Sequence, residues 1–583
     1  MPRPDEIDRV VRGRALWVFA VFGIAYAMLA VRVVYLQVLR GPDLAHRAER
    51  QHEKAVALEA ERGTIYDRHG RILATDLTVP SLYAVPPLID NPQSIARELA
   101  AVLRVPAAPL ARRLGEDRGF VWLERRVDPA VARAVEELGA EGVRLVPEPR
   151  RMYPRKALLS HVIGFAGIDH EGLEGLERFY DRELRGEKGW LIYERDGAGH
   201  RLFPKGLRYV APSRGRDLRL TVDEVIQHIS ERELDAAMTE SGAESGTLIV
   251  MDPWDGGVLA LAVRPSFNPN DVDYANPAQW RNRAVTDAFE PGSTFKVVTA
   301  AAALDAGLVR PDEIIDCENG RWPMPGGVLH DHEPLGRVSF SDVIAKSSNI
   351  GTAKVAQRLG PERLARAIAA FGFGKKTGID LGGETPGRVP PPSRWSKRSA
   401  ATMAIGQELM ATPIQLAAAY AAIANGGRLV RPHLVVRVEG AEDPEGAGTS
   451  RGPSARVMSE QTATVLTRLL EGVVSPGGTG ASAAIEGVRV AGKTGTAEQV
   501  DPETGRYSFD REVASFVGFA PSSRPAVVVA VILENPRGRT WGGTVAGPVF
   551  ARVTEATLRY LGGPGETPSP SPSPRHMTRV AWR

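Results

Sequence analysis

FEPGSTFKVVTAAAALDAG, residues 289–307, sets a serine beside a turn and a lysine three residues further on. Pro291-Gly292 makes the turn, and the Ala-rich run after it predicts a helix over Phe295–Ala306. Ser293 then sits at the helix N-terminus, with Lys296 one turn up on the same face. A serine hydroxyl is a weak nucleophile until a neighbour accepts its proton. A lysine can do so once burial and nearby cations have lowered its pKa. The helix N-terminal N–H groups point to where negative charge would develop. Taken alone, the pattern is common and fits a helix cap with an exposed lysine equally well.

Two downstream motifs change that weighing. Ser347-Ser348-Asn349 opens another helical stretch, AKSSNIGTAKVAQRLG (345–360). Lys493-Thr494-Gly495-Thr496 follows an apolar run expected to be a strand over Val488–Ala491. Each is a cap or a turn by itself. In this order they resemble the motif set of penicillin-binding proteins and class A β-lactamases.

The stretches around them predict an α+β fold with an antiparallel sheet and helices inserted among its strands. GTLIVMDP and GGVLALAV, within 246–263, form a hairpin pattern about Trp254-Asp255-Gly256-Gly257. Late strands are expected at Ala514–Phe519 and Ala526–Leu533. Helices are expected at Glu224–Met238, Pro361–Phe371 and Pro413–Asn425, the last closed by Gly426-Gly427. Residues 212–562 form this domain. A mobile loop is expected at Gly440–Pro453, and a disordered tail at 563–583.

Residues 40–211 carry no bond-making motif and read as a pedestal. Arg47–Glu61 is expected to be a helix. RGTIYDRHGRILA (62–74) reads as a turn between two short strands. Helices are expected at Ser94–Arg104 and Ala130–Leu138, and GLEGLERFYDREL (172–184) has helical spacing.

The uncharged run Ala15–Val31 and its continuation to Leu39 are long enough to cross a bilayer, so 15–39 reads as a transmembrane anchor. Arg3, Arg9, Arg12 and Arg14 precede it. They hold a cytoplasmic tail, 1–14, inside and send the rest of the chain out, which gives a single-pass protein of the cytoplasmic membrane with its catalytic domain outside. A signal peptide cleaved after Ala25-Tyr26-Ala27 is the alternative. The net charge of +3, with no dense basic block, gives no reason to expect a nucleic-acid partner. The single cysteine, Cys317, excludes an internal disulfide and is expected to be a half-buried filler. His330-Asp331-His332 lacks a third ligand at metal-site spacing and is expected to be a solvated loop.

The resemblance becomes specific in PSFNPN (265–270), NRAVTDAFEPGSTFK (282–296), GQELMATPIQLAAAYAAIANGG (406–427), SFVGFAP (515–521) and GGTVAGPVF (542–550). These look like the transpeptidase domain of class B penicillin-binding proteins. RGTIYDRHGRILA, RMYPRKALLSHVIGFAG (151–167) and GLEGLE resemble boxes of that family's dimerisation-type pedestal. FEPGSTFK and the compact pedestal look more like the division or sporulation branch than the elongation branch.

The resemblance implies a peptidoglycan D,D-transpeptidase that forms an acyl-enzyme during septal wall synthesis and needs no cofactor or metal. Ser293 would attack the D-Ala-D-Ala carbonyl, with Lys296 as base. Ser347 would relay a proton to the leaving amine, and Asn349 would hold Lys296 and the substrate amide. Lys493, Thr494 and Thr496 would bind the terminal carboxylate, with Gly495 between them in the motif. Backbone N–H groups of Ser293 and Thr496 would form the oxyanion hole. The implied partners are stem peptides, β-lactams, a polytopic membrane glycosyltransferase and other division proteins. Alternatives are an elongation-type enzyme, a carboxypeptidase or β-lactamase of the same fold, and a non-enzymatic scaffold or β-lactam sensor.

Overall fold

The computed structural model describes residues 4–40, 53–118, 120–195, 201–202, 208–325, 327–440, 455–500, 507–538 and 541–562. The expected loop at 441–453 and tail at 563–583 lie outside the described residues. The chain forms two compact units interleaved in sequence. The smaller comprises Met1–Ala60, Val79–Glu148 and Glu187–Ser213; the larger comprises Glu61–Thr78, Pro149–Gly186 and Arg214–Arg583. Segments 61–78 and 149–186 of the pedestal region thus pack within the larger unit.

In the larger unit, helix α1 (Glu224–Ser241) starts at Asp223, whose side chain accepts from Val225 N, and ends at Gly242 in the left-handed region. It precedes strands β1 (Ser245–Met251) and β2 (Val258–Arg264), which pair antiparallel as the hairpin pattern predicts. After the helical part of the chain come β3 (Ala491–Val500), β4 (Tyr507–Ala520) and β5 (Val527–Glu534). The five form one antiparallel sheet in the order β2-β1-β5-β4-β3.

The unbroken apolar run VVVAVIL (527–533) explains why β5 is central. Successive side chains point to opposite faces, so a strand covered on both faces must be apolar at every position. Val527, Val529, Val531 and Leu533 pack in one core with Ile226, Leu234, Phe516 and Phe550. Val528, Ala530 and Ile532 pack in the other with Val297, Ile414 and Tyr420. One face therefore carries α1 and the C-terminal helix Gly542–Tyr560. The other carries the helices that bear the motifs.

Four of those helices position the site. Helix α2 (Lys296–Asp305) follows a 3-10 turn over Gly292–Phe295. Helix α3 (Phe340–Ala345) leads through Ser347 into α4 (Asn349–Leu359), whose N-cap is Ser348. Helix α5 (Pro413–Ala424) is buried at all twelve positions, which its small alanines permit, and it carries a Thr412/Gln415 capping box. Gly426 and Gly427 end it with φ of 81° and 102°.

Within 61–78 and 149–186, Ile65–Tyr66 pairs with the start of Ile72–Ala84 across the expected turn. The 172–184 pattern is two short helices, Gly175–Phe179 and Asp181–Leu184, which separate at Tyr180 and do not form one continuous helix.

In the smaller unit, helices Pro92–Leu103 and Pro129–Leu138 form as expected, capped by Asn91 and Asp128. The helix expected over Arg47–Glu61 does not form in its described part: Glu53–Leu58 is a strand, antiparallel to Gly189–Arg195. A distant strand supplies its hydrogen bonds, and local spacing carries no sign of that partner. A helix over Pro4–Val34 continues to Leu39 through a π turn, and Gly13–Leu39 is long and apolar enough to cross a membrane.

Candidate active site

The first wall of the site is the Ser293 turn. Gly292 has φ of 54° and donates its N–H to the Gly406 carbonyl at 3.1 Å. A Cβ on Gly292 would come within 2.9 Å of the Thr496 carbonyl, so only glycine lets this turn lie against β3. Tyr420 of α5 donates to the Thr294 carbonyl at 2.8 Å and fixes the turn from beneath. Ser293 is half-buried. Among the described residues its hydroxyl has no hydrogen-bond partner within the chain.

β3 is the second wall. The strand expected to end at Ala491 in fact begins there, so Lys493–Thr496 lies inside it. Hydropathy ends the apolar run early because this strand's polar side chains line the edge of the sheet. Gly495 is where β3 meets the serine turn: a Cβ there would lie 2.4 Å from Ser515 Oγ and 2.8 Å from Thr294 Cγ2. Thr494 shares a 2.9 Å hydroxyl–hydroxyl bond with Thr479, and Thr496 Oγ1 accepts from Gly542 N at 3.2 Å. Thr479 belongs to a Gly-rich loop whose only sequence signal is SPGGTG (475–480).

The third wall is the Ser347-Ser348-Asn349 turn, in which Ser347 takes φ of 58°. Lys296 Nζ donates to the Ser347 carbonyl at 2.5 Å, to Asn349 Oδ1 at 2.8 Å and to Ser347 Oγ at 3.2 Å. Lys493 Nζ donates to the same Ser347 Oγ at 2.8 Å. One serine hydroxyl thus joins two lysines from separate elements. Both lysines are fully buried. Burial favours the neutral amine and brings the Lys296 pKa down to about 7. Burial also depresses Lys493 strongly, and the charge of Lys296 depresses it further. The pair therefore holds fewer protons than two free lysines would at neutral pH.

Cys317 is fully buried, not half-buried, and receives a 3.3 Å contact from Ser348 Oγ. His330 and His332 are exposed, as expected of a solvated loop, but Asp331 between them is half-buried and its carboxylate accepts from Ser348 Oγ and Ile350 N. No group of three or more metal-binding side chains occurs among the described residues.

Two buried lysines that share one serine hydroxyl, one of them a turn beyond a second serine, can support acyl transfer. Residues 246–555 match the model of the penicillin binding protein transpeptidase domain, and 57–220 match that of the penicillin-binding protein dimerisation domain. The chain belongs to the class B penicillin-binding proteins.

Within this family it is similar to stage V sporulation protein D of Bacillus subtilis, with 37% identity covering 95% of this chain and 86% of that protein. It is also similar to the peptidoglycan D,D-transpeptidase FtsI of Escherichia coli, with 34% identity covering 92% and 90%. Among solved structures it resembles penicillin binding protein 3 of Mycobacterium tuberculosis complexed with aztreonam, at TM-score 0.67 and 29% identity, covering 87% of this chain and 97% of that one.

Proposed function

We propose that this protein is a peptidoglycan D,D-transpeptidase of septal wall synthesis, with Ser293 as its nucleophile. The observation that carries the roles is the convergence of Lys296, Ser347, Asn349 and Lys493 through bonds of 2.5–3.2 Å, with Ser293 in the turn that leads into Lys296. Ser293 Oγ attacks the carbonyl carbon of the penultimate D-Ala, and its proton passes to Lys296. Developing charge on the carbonyl oxygen is met by backbone N–H groups of Ser293 and Thr496. The C–N bond breaks, Ser347 delivers a proton to the leaving D-Ala, and an ester remains on Ser293. Asn349 holds Lys296 and the donor amide. Lys493, Thr494 and Thr496 bind the terminal carboxylate, whose charge favours the ammonium form of Lys493. An acceptor amine then attacks the ester, giving ping-pong kinetics.

Lys296 makes three donor contacts, which suits a resting ammonium. Loss of one proton frees a lone pair for the serine, and a pKa of about 7 makes that loss easy at neutral pH.

Residues 212–562 act as the catalytic domain and 40–211 as the pedestal. The apolar helix fits a single-pass anchor. With the N-terminus inside, it holds the site outside the cytoplasmic membrane, where the pedestal and anchor offer surfaces to a polytopic glycosyltransferase and other division proteins. The test is labelling of purified protein with a fluorescent penicillin. Wild type should become labelled and Ser293→Ala should not; a labelled Ser293→Ala protein would refute the assignment.

A further inference from the structure

The triplet His330-Asp331-His332 has a structural task at the edge of the site. The strand Gly327–His330 pairs with Arg321–Met324, and the next residue, Asp331, donates its N–H to the Gly320 carbonyl at 3.1 Å. Anchored there, the Asp331 carboxylate spans the start of α4. Oδ2 accepts from Ser348 Oγ at 2.6 Å, and Oδ1 accepts from Ile350 N at 2.9 Å. The His330 carbonyl accepts from Asn349 Nδ2 at 2.9 Å. Ser348, Asn349 and Ile350 are therefore each tied to the 330–331 segment.

These ties have consequences for the reacting groups. Ser347 stands in the left-handed region, which a side chain disfavours, so the turn persists only if its surroundings over-determine it. Asn349 has its amide N–H held by His330, which leaves Oδ1 facing Lys296. The charged and titratable groups facing Lys296 are Asp331, Cys317 and Lys493. Asp331 is the carboxylate among them, and its charge favours the ammonium form of Lys296 against the pull of burial.

We propose that Asp331 is the positioning residue of this site: it fixes the turn that aims Ser347 and Asn349 at Lys296, and it supplies the negative charge that the buried Lys296 faces. This rests on Ser293 and Lys296 acting as proposed above.

The test measures the second-order rate of acylation by a penicillin against pH, with the full-length protein in detergent. In wild type the half-maximal point falls near the Lys296 pKa of about 7. Asp331→Asn removes the charge and one of two acceptors. It should lower the plateau about tenfold and move the half-maximal point about one pH unit lower. Asp331→Glu keeps the charge on a longer arm, so it should keep the wild-type half-maximal point with a reduced plateau. A folded Asp331→Asn protein whose half-maximal point has not moved would overturn the proposal. Should the Asn variant fail to fold, a Glu variant with a wild-type plateau or a displaced half-maximal point would overturn it equally. Wild type that is not acylated on Ser293 would instead refute the underlying reading.

Discussion

Lys296 is in an unusual position for a lysine, with no exposed surface and three oxygen partners. Burying an ammonium is costly unless its hydrogen bonds are satisfied, and here they are. The remaining cost appears as a pKa of about 7, so the group is charged below that pH and neutral above it. If the neutral amine takes the proton of Ser293, acylation by a penicillin rises with pH through about 7 and then levels. Lys296→Met has no lone pair to offer and should slow acylation by about 10²–10⁴-fold. A rate that is flat across the neutral range, or a Lys296→Met protein at wild-type rate, would show that another group is the base.

At the scale of elements, the site depends on how closely β3 approaches the serine turn. Gly495 permits it, since any Cβ there would meet Ser515, Thr294 and the Pro291 carbonyl. Gly495→Ala should therefore displace β3 from Ser293. Acylation should fall about 10²-fold through misplacement, while overpacking costs about 1–3 kcal/mol of stability. Acylation kinetics with a thermal melt would check this, and an unimpaired rate would contradict it. This approach was only partly legible in the sequence. The order of Ser293, Ser347-Ser348-Asn349 and Lys493 located the chemistry, and β5 announced itself by its apolar run. Hydropathy does not place Lys493 inside β3, because a fully buried lysine in a strand contradicts every hydropathy signal. The task of Asp331 is not legible in the sequence because its partners, Ser348 and Ile350, come near it only in the fold. The strand Glu53–Leu58 is hidden for the same reason, since Gly189–Arg195 is its partner.

At the scale of the whole molecule, the pedestal sequence boxes meet in one buried ionic network. Arg62, wholly inaccessible, donates to Glu177 at 2.9 Å and Asp181 at 2.7 Å, and also to the His170 carbonyl. Arg151 donates to Glu177 at 2.6 Å and Asp76 at 3.2 Å. Burial pushes the Glu177 carboxyl up, but Arg151 and Arg62 outweigh it and hold it below the ordinary value. Its folded pKa is thus depressed, so this contribution is present above the unfolded-state pKa and is lost as pH falls through the folded one. Arg62→Leu leaves the buried Glu177 with Arg151 as its remaining ion-pair partner. It should cost about 3–5 kcal/mol, seen as a lowered melting temperature. A melting temperature unchanged from wild type would contradict that weight for the network.

Transpeptidation requires Ser293 to pass its acyl group to an amine. The most direct measurement incubates the full-length protein with lipid-linked peptidoglycan precursor and a glycan polymerase, then separates the muropeptides. Cross-linked dimers that disappear with Ser293→Ala are the expected result. Trimmed monomers without dimers, or dimers that persist in Ser293→Ala, would contradict it.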